Sequence, residues 1–105
     1  MKIITTVIRK NHSDLLCEKL NIMQQYIIIY SRQTVNFQIK ETEKFEKITI
    51  ITEEEDVARI VGEIRRSVQT GNIYRQEMHG DAGREYICVQ TVERLITLDN
   101  DQDSL

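Results

Sequence analysis

At 105 residues the chain is long enough for one domain with one hydrophobic core. Its 14 Lys and Arg against 17 Asp and Glu leave it slightly acidic without a basic block, so the electrostatic footprint of a nucleic-acid binder is missing. No apolar run approaches bilayer-spanning length and the N-terminus lacks a signal-peptide pattern, so neither membrane insertion nor export is expected.

Lys2–Ile8 (KIITTVI) reads as the first strand, followed by a polar connection Arg9–Asp14 in which Ser13 or Asn11 is a candidate N-cap. From Asp14 to about Met23, Leu16, Leu20 and Met23 recur at i, i+4 and i+7, which predicts an amphipathic helix. Tyr26–Tyr30 (YIIIY) has strong strand propensity. Only scattered apolar residues follow, so about 32–44 reads as a loop.

Lys47–Thr52 is a β-branched strand that feeds a second helix. Thr52 and Glu55 have the spacing of a capping box, and Glu53–Asp56 fill the first turn, where the helix dipole favours negative charge. Val57, Ile60, Val61, Ile64 and Val68 form one apolar stripe, with Gly71 placed as the C-cap. Gly71–Arg84 is a second long connection, holding Gly71, Gly80 and Gly83. Glu85–Thr91 is the fourth strand, Ile96–Leu98 a candidate edge strand, and 99–105 an acidic tail beyond a domain of residues 1–98.

The order β-α-β, loop, β-α-β predicts an α+β, ferredoxin-like βαββαβ sandwich with a short C-terminal strand. Ile3 beside Ile4, Ile27–Ile29, and Ile50 beside Ile51 place apolar side chains on both sheet faces. Two helices cover one face, so a homo-oligomer is the simplest cover for the other.

Gly80, Asp81, Gly83 and Arg84 have the composition of an anion cradle, with backbone N–H groups and a guanidinium converging. The same residue types also make ordinary turns. Cys17 and Cys88 read as buried reduced thiols, which makes a cytoplasmic location the default. Neither they nor His12 and His79 have the close spacings of a structural zinc site. No nucleophile–base pair emerges, so no enzymatic activity is expected. Base stacking on the sheet is disfavoured because Ile48–Thr52 contains no aromatic residue.

Several stretches together resemble the PII signal-transduction family, small ferredoxin-like proteins that form trimers. They are Ile8-Arg9 with Asp14, Glu18 and Leu20; Thr70-Gly71-Asn72-Ile73; and Tyr86-Ile87-Cys88-Val89 followed by Val92-Glu93. The resemblance implies a cytoplasmic homotrimer that senses an adenine nucleotide in inter-subunit clefts. Gly80, Asp81, Gly83 and Arg84 would hold phosphate, and Ile51 and Gln33 are candidate further contacts. An effector loop with Gln33, Thr34, Val35, Asn36, Phe37 and Gln38 would act on a partner, such as a membrane transporter or metabolic enzyme.

Departures from the family pattern adjust that expectation. An insertion stands at about 74–79, and Thr97 and Asp99 occupy places where the family carries arginines. ADP or AMP is therefore favoured over ATP, with a small anion such as bicarbonate as co-ligand. The effector loop lacks a glycine-rich start and an internal tyrosine, and only Gln33 is available for the family's magnesium and 2-oxoglutarate site. Other classes compatible with the fold are a CutA-like trimeric metal-tolerance protein and a small ferredoxin-like enzyme.

Overall fold

A computed structural model describes residues 1–35, 44–71, 85–96 and 98. Four strands, β1 (Lys2–Arg9), β2 (Ile29–Val35), β3 (Phe45–Thr52) and β4 (Tyr86–Thr91), form one antiparallel sheet in the order β2-β3-β1-β4. Helices α1 (Lys10–Ile22) and α2 (Val57–Gly71) connect β1 to β2 and β3 to β4. This is the ferredoxin-like α+β arrangement expected from the element order.

The pleat sorts each strand between two faces. Pairing of Ile4 with Ile50, Thr6 with Ile48, and Ile8 with Glu46 puts these residues on the helix side. Ile4, Ile8, Ile48 and Ile50 are buried there against Leu16, Cys17 and Leu20 of α1 and Ile60 and Ile64 of α2. The helical stripes were legible: Val57, Val61 and Val68 flank that core as half-buried neighbours.

Several boundaries differ from expectation. Helix α1 begins at Lys10, four residues before the predicted start, directly after β1, and its N-cap Arg9 has no side-chain cap. The Lys10 N–H instead donates to the Lys44 carbonyl at 2.8 Å. Ser13, a candidate cap, is buried and donates to Glu46. Tyr26 ends a 3₁₀ turn, Gln24–Tyr26, and β2 runs through Val35. Gln33, Thr34 and Val35 therefore belong to a strand. Edge pairing to β3 satisfies this polar segment, and Arg32 finds carboxylates that sequence periodicity does not reveal.

The predicted capping box is absent. Thr52 Oγ1 donates to the Tyr26 carbonyl at 2.6 Å, while Glu53 precedes a 3₁₀ turn, Glu54–Asp56, that leads into α2. Gly71 is the last residue of α2, not a cap beyond it. Residues 92–96 and Leu98 form no strand, which corrects the edge-strand expectation at Ile96–Leu98. Cys17 is buried as expected, but Cys88 is exposed.

Away from the helices, the open face carries Ile3, Thr5 and Val7 of β1, Thr49 and Ile51 of β3, Ile29 and Val35 of β2, and Tyr86 and Cys88 of β4. Ile29 and Tyr86 are 44% and 51% exposed.

Candidate functional site

Two polar clusters meet where β1 passes into α1. In the first, Glu85, just before β4, reaches back across the sheet. Its Oε2 accepts the Arg9 backbone N–H at 3.0 Å and lies 2.5 Å from His12 Nδ1, while Oε1 lies 3.4 Å from Arg9 Nη1. The Glu85 and His12 side chains are 6% and 0% exposed. Burial alone would raise the Glu85 carboxyl, but the His12 and Arg9 hydrogen bonds and their charges outweigh it and hold the group below the ordinary range. With an ionised carboxylate at Nδ1, the proton belongs on that nitrogen. The Nε2 atom of His12 is buried without a hydrogen-bond partner among the described residues. The Arg9 guanidinium also lies 5.6 Å from the centroid of the buried Phe45 ring at the start of β3.

In the second cluster, Arg32 of β2 bridges two elements. It donates to Asp14 of α1 at 2.8 Å and to Glu46 of β3 at 3.0 Å through Nε, with a second contact to Glu46 through Nη2. Lys10 reaches Asp14 at 2.7 Å, and these two cationic partners lower the Asp14 carboxyl. At Glu46, burial pushes the carboxyl up, yet Ser13 and Arg32 bring it net below its usual value. Burial raises the neighbouring Cys17 thiol, which disfavours the reactive thiolate.

Beside the first cluster lies a pocket of about 390 Å³, a size suited to a small organic ligand. Its α2 wall comprises Ile64, Arg65, Val68 and Gln69; its sheet wall comprises Thr6, Ile8, Glu85, Tyr86 and Ile87. Arg65 and Gln69 are four residues apart and so share one rim of the helix. Tyr86 contributes by its position in the wall, because pairing with Val7 assigns its ring to the opposite face. Thr6 Oγ1 is already donating to the Tyr86 carbonyl at 2.8 Å. Arg65 has neither an ion-pair nor a hydrogen-bond partner among the described residues.

Gly80, Asp81, Gly83 and Arg84, together with His79 and the insertion at 74–79, lie outside the described residues, as do Asn36, Phe37, Gln38, Thr97 and Asp99. Gln33 and Ile51 share the open face but do not meet. Gln33 pairs with Lys47, four residues along β3 from Ile51, a separation of about 13 Å.

Arg9, His12, Arg65 and Glu85 were not singled out by sequence reasoning as site residues. A signal existed for His12: with α1 begun at Lys10, it precedes Leu16 and Leu20 on the buried i, i+4, i+8 stripe. Glu85 carries no such mark, since its partner His12 is 73 residues away in sequence. Among the described residues no three His, Cys, Asp or Glu side chains group to hold a metal ion, and no helix is long and apolar enough to cross a membrane.

No protein-family model matches the chain, and no curated protein matches it. The fold is similar to the crystal structure of a DUF3240 family protein from Shewanella baltica. The TM-score is 0.62 at 11% identity, covering 93% of this chain and 96% of that one.

Proposed function

We propose that the protein is a PII-like regulatory module, without enzymatic activity, that senses an adenine nucleotide, ADP or AMP in preference to ATP. In the proposed assembly it is a cytoplasmic homotrimer, joined through the open sheet face and acting on a partner protein through the segment after β2. A small anion such as bicarbonate is the proposed co-ligand. Gly80, Asp81, Gly83 and Arg84 supply phosphate contacts, as the family resemblance implies.

The observation that supports this reading is the pocket's position. Its walls are the closing turns of α2 and the residues from Glu85 onward. The described residues on either side of the glycine-rich stretch in sequence therefore border the same pocket. Aliphatic side chains and a cationic rim beside such a connection suit a ligand with an apolar body and an anionic end. Binding would change the regulatory state only through different affinities for its conformations.

Calorimetric titration of ATP, ADP and AMP, each with and without bicarbonate, tests the proposal. One site per chain with ADP or AMP preferred is expected. Absence of heat for all three nucleotides in both conditions, backed by absence of ligand-induced NMR shifts, would overturn it.

A further inference from the structure

We infer that β4 pairs through its outer edge with β4 of a second copy of this chain, antiparallel across a two-fold axis at Cys88. This contact is separate from the open-face contact proposed above and does not depend on it.

The strand order leaves β4 with one open side. In the sequence β2-β3-β1-β4 it ends the sheet, and among the described residues no strand pairs with its outer edge. The ladder fixes which backbone groups point outward. The Val92 N–H donates to the Met1 carbonyl at 3.0 Å, and Tyr86, Cys88 and Gln90 follow at alternate positions opposite Val7, Thr5 and Ile3. In an antiparallel pair such alternate residues exchange the hydrogen bonds. The N–H and C=O groups of Ile87, Val89 and Thr91 therefore face away from β1. None of them has a hydrogen-bond partner among the described residues.

An edge of this kind accepts another strand unless a charge, a proline or a bulge blunts it. The β4 segment YICVQT holds no charged residue and no proline, and its register with β1 runs unbroken from Lys2 to Val7. The opposite edge differs, because β2 carries Arg32, which is bound to Asp14 and Glu46. An uncharged edge also selects its occupant: the incoming strand must bring no charge that the edge cannot pair. A second β4 meets that condition.

Self-pairing requires that outward-facing residues meet outward-facing residues. Setting Ile87 against the partner's Val89, and Val89 against the partner's Ile87, does this and matches apolar side chains on the helix side. Cys88 then stands opposite the partner's Cys88 on the open-face side, at a Cα separation of about 4.5 Å. A two-fold contact joins chains in pairs, so it makes a hexamer of the proposed trimer.

The test is sedimentation of the parent, Val89→Pro and Ile51→Lys, with Cys88 oxidation as the readout of register. Proline removes the outward N–H of Val89 and none of the bonds to β1. The parent is expected to hold an even number of chains, and Val89→Pro half that number. Ile51→Lys, which disrupts the open face, should remain a dimer. Oxidised glutathione should make that dimer covalent through Cys88 and the partner's Cys88, since about 4.5 Å lies within disulfide range. Adding Val89→Pro to Ile51→Lys should give a monomer without the link. If circular dichroism shows Val89→Pro unfolded, Val89→Lys at the same exposed position puts a charge on the edge and should also halve the chain number. An odd number of chains in the parent, or an unchanged number in a folded edge variant, overturns the edge pairing; a trimer in either case leaves the open-face proposal standing. An Ile51→Lys dimer that forms no Cys88 link overturns the axis at Cys88. A parent dimer that Ile51→Lys leaves intact sustains the edge pairing and overturns the open-face trimer.

Discussion

Glu85→Gln probes the buried junction with the smallest change in shape. The amide oxygen can still accept the Arg9 N–H, now at 3.0 Å. Its NH₂ group then faces donors where the carboxylate faced them as an acceptor. His12 is 0% exposed and 2.5 Å away, and it has no cheap response. If its proton stays on Nδ1, two donors confront each other. If the proton moves to Nε2, it arrives at a buried atom with no hydrogen-bond partner among the described residues. Leaving one such donor unsatisfied costs about 1–3 kcal/mol, and loss of the charged contact to Arg9 adds to it. The expected destabilisation is about 3 kcal/mol, or roughly 12 °C in Tm for a domain of this size.

The pH dependence separates charge from shape. Glu85 is lowered from 4.5 in the folded state, so the folded protein binds that proton less readily than the unfolded chain. Its contribution is therefore fully present above the unfolded value and is lost as pH falls through the folded one. The gap between parent and Glu85→Gln, read by urea denaturation, should be widest near neutrality and close below about pH 4.5. A variant within about 0.5 kcal/mol of the parent at neutral pH, which is the range of ordinary surface changes, would refute the clamp. A gap that persists unchanged into acid would refute the electrostatic account of it.

Gly62 lies inside α2, and a Cβ there would meet only the mobile end of Arg66, at 3.6 Å; Gly62→Ala should raise stability by about 0.5–1 kcal/mol, visible as a higher urea midpoint with unchanged slope. Ile51→Lys places a charge on the half-buried open face and should convert the proposed oligomer to a smaller species in sedimentation. Cys88, exposed on that face in the single chain, should then react with a thiol reagent faster than in the parent, with buried Cys17 remaining slow. A parent already monomeric, with Cys88 reacting at the variant's rate, would refute oligomerisation through this face.

The elements that sequence reading located well are those whose stability is local in pattern. The α2 stripe from Val57 to Val68 needs only its own spacing to be recognised, and Ile48 and Ile50 have the β-branched form of core strand residues. Beta2 was shifted because its propensity and pairing disagree. Ile27 and Ile28 look like strand centre, but the chain is still leaving a 3₁₀ turn there, held by the Thr52 hydroxyl on the Tyr26 carbonyl. Ser31–Thr34 look like loop, yet they pair in register with Lys47–Thr49 and Glu46 on β3. Arg32 finds Asp14 and Glu46 at separations of 18 and 14 residues. Such partners are settled by topology, and no local window contains them.

The pocket was hidden for a related reason. On the helix side, β4 presents Ile87, Val89 and Thr91 in alternation, with Glu85 just before it, so the strand reads as an ordinary half-buried edge. The core cluster instead joins the helices to β1 and β3 and reaches β4 through half-buried Ile87. Val89 remains 43% exposed despite pairing with fully buried Ile4. An apolar strip is thus left beside α2, with Glu85 at its beginning. The carboxylate is buried there, held between Arg9 and His12. The same residue that fixes the β1–α1 junction is thus also one of those lining the pocket, a juxtaposition visible only once the strand order brings β4 beside β1.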